Sequence, residues 1–154
     1  MSDLNQLSTQ PTFTLAEDHC FGGQYTWQLQ SGQLRFTGDD AFRHFDTFRN
    51  THVTGIDVDD LQLDAFRNAL DLLDVWRWRP DYTPMDLGYD IDDGVSWQFT
   101  ASFADNECSA AGANAFPSFA DPLITVASLG AGRYGMLLAT FCDTFRVRLP
   151  GVNC

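Results

Sequence analysis

The chain has 154 residues, 44% hydrophobic and 14% aromatic, which suits one domain with a proper core and is too short for two. Its formal net charge is -12 with no lysine at all, and Glu17 and Glu107 are the only glutamates among 21 acids. That balance excludes a disordered chain; no apolar run reaches the roughly 18 residues of a membrane span.

Residues 1–11 read as a loose polar lead, without the basic and apolar regions of a secretory signal, and 12–154 as a single domain. TFTLAE (12–17) alternates, Gly22-Gly23 breaks the run, and QYTWQLQ (24–30) puts Tyr25, Trp27 and Leu29 on one face. After the SGQ turn, LRFTG (34–38) returns with Leu34 and Phe36. Phe42, Phe45 and Phe48, three apart, suggest a short helix.

The clearest helix follows. Leu63, Phe66, Leu70 and Leu73 form one apolar stripe, and Asp59 with Gln62 has the spacing of a capping box. Asp64, Asp71 and Asp74 fall off the stripe, and the helix must stop before Pro80. VSWQFTASF (95–103) then alternates almost without fault, as a strand with one wet face does. A three-residue loop, Asp92-Asp93-Gly94, would pair Ile91 with Val95 and Tyr89 with Trp97, with Gly94 at a left-handed position. CSAAG (108–112) predicts a short third strand. Phe116-Pro117 leads to an expected helix capped by Ser118 or Asp121 and ended by Gly130 and Gly132. Tyr134, Leu137, Leu138, Phe141 and Phe145 have the spacing of a last helix. The fold class is therefore α+β: an antiparallel sheet of five to six strands with helices packed on one face, in the order βββ-α-βββ-α-α.

The chemistry-bearing residues are sparse. Cys20, Cys108, Cys142 and Cys154 form no C-x-x-C pair, so neither a zinc ribbon nor a thioredoxin-type site is expected; without a secretory signal, reduced cytosolic thiols are expected and a disulfide is the minority reading. His44 and His52 lie near Asp39, Asp40 and Asp46, but their spacing matches no metal motif. Asp90-x-Asp92-Asp93-Gly94 fails as a calcium loop, because position twelve would be Ala101. No cofactor, metal or catalytic residue is expected. DVWRWRPDY (74–82) is rich in the Trp and Arg of binding hot spots, although one Trp capping the core and Arg–Asp pairing explain it as well.

Three motifs, Trp78-x-x-x-Tyr82, Asp93-Gly94-x-x-Trp97 and Gly112-x-Asn114-x-Phe116-Pro117, together resemble a family of small uncharacterised bacterial proteins. The element order is also distantly similar to the emfourin inhibitors of thermolysin-like proteases. The chain departs from these by adding a helix after Arg133, so no protease-blocking site carries over. The resemblance implies a compact scaffold and brings no catalytic residue.

Function must then be read from surface character. Short, stiff Asp side chains hold negative charge close to the backbone, a field that disfavours nucleic acid and anionic membranes and favours a basic protein. The expectation is a cytoplasmic protein-binding module, not an enzyme: an inhibitor or immunity protein neutralising a basic partner such as a bacterial toxin. Asp57, Asp59 and Asp60 before the first helix, and Asp90, Asp92 and Asp93 at the hairpin, are the expected partner-binding residues. A solitary housekeeping or regulatory protein, or a small enzyme with a spatially assembled His/Asp or Cys/His site, are the alternatives.

Overall fold

Alternating apolar residues in the first third of the chain become antiparallel strands. In the computed structural model, β1 (Thr12–His19) buries Phe13, Leu15 and Glu17, and β2 (Gly23–Gln30) buries Tyr25, Trp27 and Leu29. The structure describes residues 10–20, 23–38, 55–91, 94–119, 123–126 and 132–149. Between β2 and β3 (Gln33–Gly38), Ser31 and Gly32 both take positive φ, 54° and 73°, as the favoured two-residue hairpin turn demands. A short β4 (Gly55–Asp57) pairs with β3 and ends that side of the sheet.

The other half of the sheet is not built by sequential hairpins. β6 (Val95–Phe103) lies antiparallel to β1 over its whole length, from Thr12 opposite Ser102 to His19 opposite Val95. A turn at Ala104-Asp105 returns it as β7 (Asn106–Ala113), and β5 (Asp81–Tyr82) adds a parallel edge to β7. The strand order is β4-β3-β2-β1-β6-β7-β5. A separate two-stranded unit joins β8 (Phe116–Pro117) to β9 (Ile124–Thr125).

Helices α1 (Asp60–Leu72) and α2 (Arg133–Phe145) cover one face of the sheet. Phe13 of β1 lies 4.9 Å from the Phe66 ring of α1, and 5.7 and 5.5 Å from Phe141 and Phe145 of α2. Burying each of these rings contributes about 1.5–3 kcal/mol, so this aromatic cluster dominates the union of helices and sheet. The opposite face carries Thr, Ser, Gln and Ala. Thr14, Gln28, Thr100 and Ser109 line an open trough there of about 570 Å³.

Several expectations need correcting. The main sheet has seven strands, mostly antiparallel, and not five or six. No strand forms over 87–91: Tyr89 and Ile91 are exposed, and β6 takes β1 and β7 as neighbours instead. Gly94 does have positive φ, but at 139° it is far from the left-handed helical value and the bulged hairpin is absent. The expected helix after Pro117 is replaced by the β8–β9 unit over its described residues. Cys142 is disulfide-bonded, contrary to four reduced thiols, while Cys20 and Cys108 are free. The expected short helix with its phenylalanines, His44, His52, Asp92 and Asp93 lie outside the described residues, as do residues 1–9 of the lead.

Candidate functional site

The three sequence motifs turn out to be one structural corner centred on Trp97. Its indole N–H donates to the Ala115 carbonyl at 2.8 Å, and Gly112, directly across the strand pair, leaves room for the ring. Trp78 and Tyr82 approach to 6.3 and 5.7 Å, Phe116 stacks at 6.2 Å and Tyr134 packs at 4.6 Å. Asn114, at φ 56°, accepts the Val95 N–H at 2.9 Å and donates to the Ile91 carbonyl at 3.3 Å. It therefore fastens the start of β6. All of these side chains are committed to packing.

Beside this corner, Glu17 is the buried charged side chain among the described residues. The Tyr134 hydroxyl donates to Glu17 Oε1, and His19 Nε2 lies 2.8 Å from Oε2. Burial, with the Glu17 charge added, pushes the Tyr134 and Tyr25 phenols well above their usual range, so both remain proton donors. The hydrogen bond to Glu17 raises the His19 pKa above its ordinary value, against an opposing effect of partial burial. A carboxylate–imidazole pair of this kind is the arrangement an acid–base enzyme uses. Here both groups lie on β1, and it is the Tyr134 hydroxyl that ties β1 to α2 through the same buried carboxylate. Among the described residues, no three His, Cys, Asp or Glu side chains converge as metal ligands would.

The expected partner-binding aspartates divide into two places. Asp57 pairs with Gln33 at one end of the sheet, whereas Asp90 lies just before Gly94 and β6, whose Val95 pairs with His19 at the other end. The eight residues of β1 between these ends span about 25 Å, so Asp57 and Asp90 lie in separate patches. Asp57 Oδ1 accepts from the Gln33 amide at 3.1 Å. Asp59 is the helix cap, with Oδ1 accepting the Gln62 N–H at 2.8 Å and its own N–H reaching Gln62 Oε1 at 3.1 Å. Asp60 and Asp90 are exposed.

From Asp60 the acidic patch continues along α1. Leu61, Ala65, Asn68 and Leu72 fall at i, i+4, i+7 and i+11, on the side of the helix opposite Phe66 and Leu70. Leu61 is 80% and Leu72 84% exposed, and they stand about 16 Å apart along the axis. Asp60, Asp64 and Asp71 flank this stripe on one side and are all exposed. A hydrogen bond from the Trp76 indole, 2.7 Å long, lowers the Asp71 pKa, and Arg67 at 3.3 Å adds to the effect. The stripe is thus two apolar anchors with a fixed carboxylate border.

No known protein family matches the chain, and no curated protein matches it.

Leu61, Asp64, Asp71 and Leu72 were not among the sequence-derived site residues. The signal was present: on a helical projection the two leucines fall on the far side from the Leu63–Phe66–Leu70 stripe, where leucine has no core to join.

Proposed function

We propose that this chain is an acidic protein-binding module, acting as an inhibitor or immunity protein does by covering a basic partner such as a bacterial toxin. Its docking surface is the outward face of α1, approached through Asp57 and Asp60. The observation that carries this reading is the pair of leucines, 80% and 84% exposed, set beside three carboxylates in a chain of net charge -12. Burying each leucine against a partner contributes about 1.5–3 kcal/mol, enough to anchor a complex. The carboxylates speed encounter with a basic surface and repel nucleic acid and anionic membranes. Asp59 holds the helix end, and Asp90 belongs to a second patch too distant to join the same contact.

No helix among the described residues is long and apolar enough to cross a membrane. The cytoplasmic placement expected from the lack of a secretory signal stands against the disulfide at Cys142, since such bonds persist in oxidising compartments. The docking reading holds in either compartment.

A photo-crosslinking residue replacing Ala65, midway between the leucines, tests the surface in the native cell. The expected adduct is a single basic protein, with none from the same probe at Gln98 on the opposite sheet face. An acidic adduct, or an adduct from Gln98 and not from Ala65, overturns the assignment.

A further inference from the structure

Helices α1 and α2 lie side by side and antiparallel. At one end the Gln62 amide of α1 donates to the Thr144 carbonyl of α2 at 3.2 Å, and at the other Arg133 Nη1 of α2 donates to the Leu73 carbonyl at 3.0 Å. Between these ties Phe66 packs on Phe145 at 5.1 Å and on Phe141 at 6.0 Å, which closes the pair beneath. Above the rings the seam is walled by small side chains. Ala65 and Ala69 occupy the flank of α1 that leads from its outward face toward α2, and Thr140 occupies the matching flank of α2. Ala69 and Thr140 are half-buried, whereas Leu61 and Leu72 on one rim and Met136 and Asp143 on the other are exposed. The outward surface is therefore a groove along the helix pair. Counting from the two ties, Met136 faces the Leu72 end and Asp143 the Leu61 end.

Acid borders both rims, with Asp60, Asp64 and Asp71 outside the leucines and Asp143 on α2. Arg67 of α1 reaches away from the groove, to Asp105 and over Trp76 and Phe103. Between Arg133 at its start and Arg146 just past its end, α2 carries no basic residue. An apolar seam with acid on each side matches one kind of element. An amphipathic helix lays its apolar stripe into such a groove and carries basic side chains to both rims. An extended strand docks through main-chain hydrogen bonds, and two helices offer none along their length because their backbone groups are bonded internally. The small side chains of the seam let a third helix approach to the about 8–10 Å between axes that packed helices adopt.

We infer that the occupant of the docking face is a basic amphipathic α-helix of the partner, lying along the groove between α1 and α2. This rests on the docking surface proposed above and adds α2, with Met136 and Asp143, as its second wall.

Fluorescence anisotropy with three labelled synthetic peptides of about 18 residues, about 27 Å long as helices, tests it. The first carries one stripe of leucines flanked by arginines and alanines. The second has the same composition scrambled so that no stripe forms, and the third has glutamate in place of every arginine of the first. The striped basic peptide should bind one per chain, at least about tenfold tighter than the scrambled one, and gain helix by circular dichroism as it binds. The glutamate peptide should not bind. Asp143→Arg should weaken the striped peptide at least about fivefold, and Met136→Gln at least about threefold. Glu107→Arg makes the same change of charge as Asp143→Arg but on the opposite sheet face, and should alter affinity less than about twofold. All three residues are exposed, so each variant keeps its fold. A scrambled peptide binding within about threefold of the striped one overturns the helix assignment, as do Asp143→Arg and Met136→Gln variants that both bind no more weakly than Glu107→Arg. A basic protein captured at Ala65 alongside such a result removes the helix and leaves the docking surface standing.

Discussion

Replacing Gly112 by Ala should strike the fold at its most crowded point. A Cβ added there would lie 2.5 Å from Trp97 Nε1 and 2.6 Å from the Ala115 carbonyl oxygen, the two atoms that form the 2.8 Å hydrogen bond closing the corner. The indole cannot swing aside, since it is hemmed in by Tyr134 at 4.6 Å and Tyr82 at 5.7 Å. Overpacking of this kind costs about 1–3 kcal/mol. Loss of the hydrogen bond strands a buried N–H and a carbonyl for about 1–3 kcal/mol more. The loss of glycine's extra freedom in the unfolded chain offsets about 0.4–1 kcal/mol and does not change the sign. A net loss of about 1–5.5 kcal/mol is a large share of the about 5–15 kcal/mol available to a domain. At about 2–4 °C per kcal/mol for a chain of this size, the middle of that range lowers Tm by about 6–13 °C. Thermal melts followed by circular dichroism read this directly. Gly32→Ala is the control, because φ is 73° there but nothing stands within 4 Å of the added carbon. It isolates the cost of positive φ, about 1–2 kcal/mol. A Gly112→Ala variant melting within about 2 °C of the parent, or no lower than Gly32→Ala, refutes the steric account.

Asn114→Ala should destabilise more than Asn114→Gly, because both lose the bonds to Val95 and Ile91 but only alanine is strained at φ 56°; equal urea midpoints would contradict this. The raised folded-state pKa of His19 means that its pairing with Glu17 stabilises the fold fully below the unfolded value near 6.5, and that this share is lost as pH climbs through the folded value. His19→Gln should therefore flatten the stability profile above neutral pH, and an unchanged slope in urea melts from pH 6 to 9 speaks against the pair. Alkylation of the unfolded chain without reductant should spare Cys142, with all four cysteines labelled after reduction; a labelled Cys142 before reduction removes the disulfide.

Much of the fold was legible because local rules settled it. Asp59 and Gln62 marked the start of α1, and the alternation of Tyr25, Trp27 and Leu29 marked β2 and its buried face. Alternation says which face of a strand is dry but not which strand lies beside it. The pairing of β6 with β1, some 80 residues away in the chain, was therefore hidden behind a plausible local hairpin. Phe116-Pro117 followed by Ser118 and Asp121 suggested a helix start, yet Leu123 takes φ 65° just before β9. The acidic cluster at Asp57–Asp60 could be seen as a cluster but not as the beginning of a longer surface. That required knowing which sides of α1 the sheet and α2 occupy. The disulfide at Cys142 left no spacing signal, since its pairing is set by proximity in the fold.

The docking face on α1 is tested most directly by affinity for the basic protein crosslinked at Ala65, measured with the native chain and with Leu61→Gln, Asp64→Asn and Leu72→Gln combined. Glutamine keeps the helix propensity of leucine, so Tm should stay within about 2 °C of the parent. Losing two anchors worth about 1.5–3 kcal/mol each predicts affinity at least about a hundredfold weaker. Removal of one carboxylate should also slow association most at low salt. Affinity within about threefold of the native chain, with folding intact, would contradict the assignment of this face.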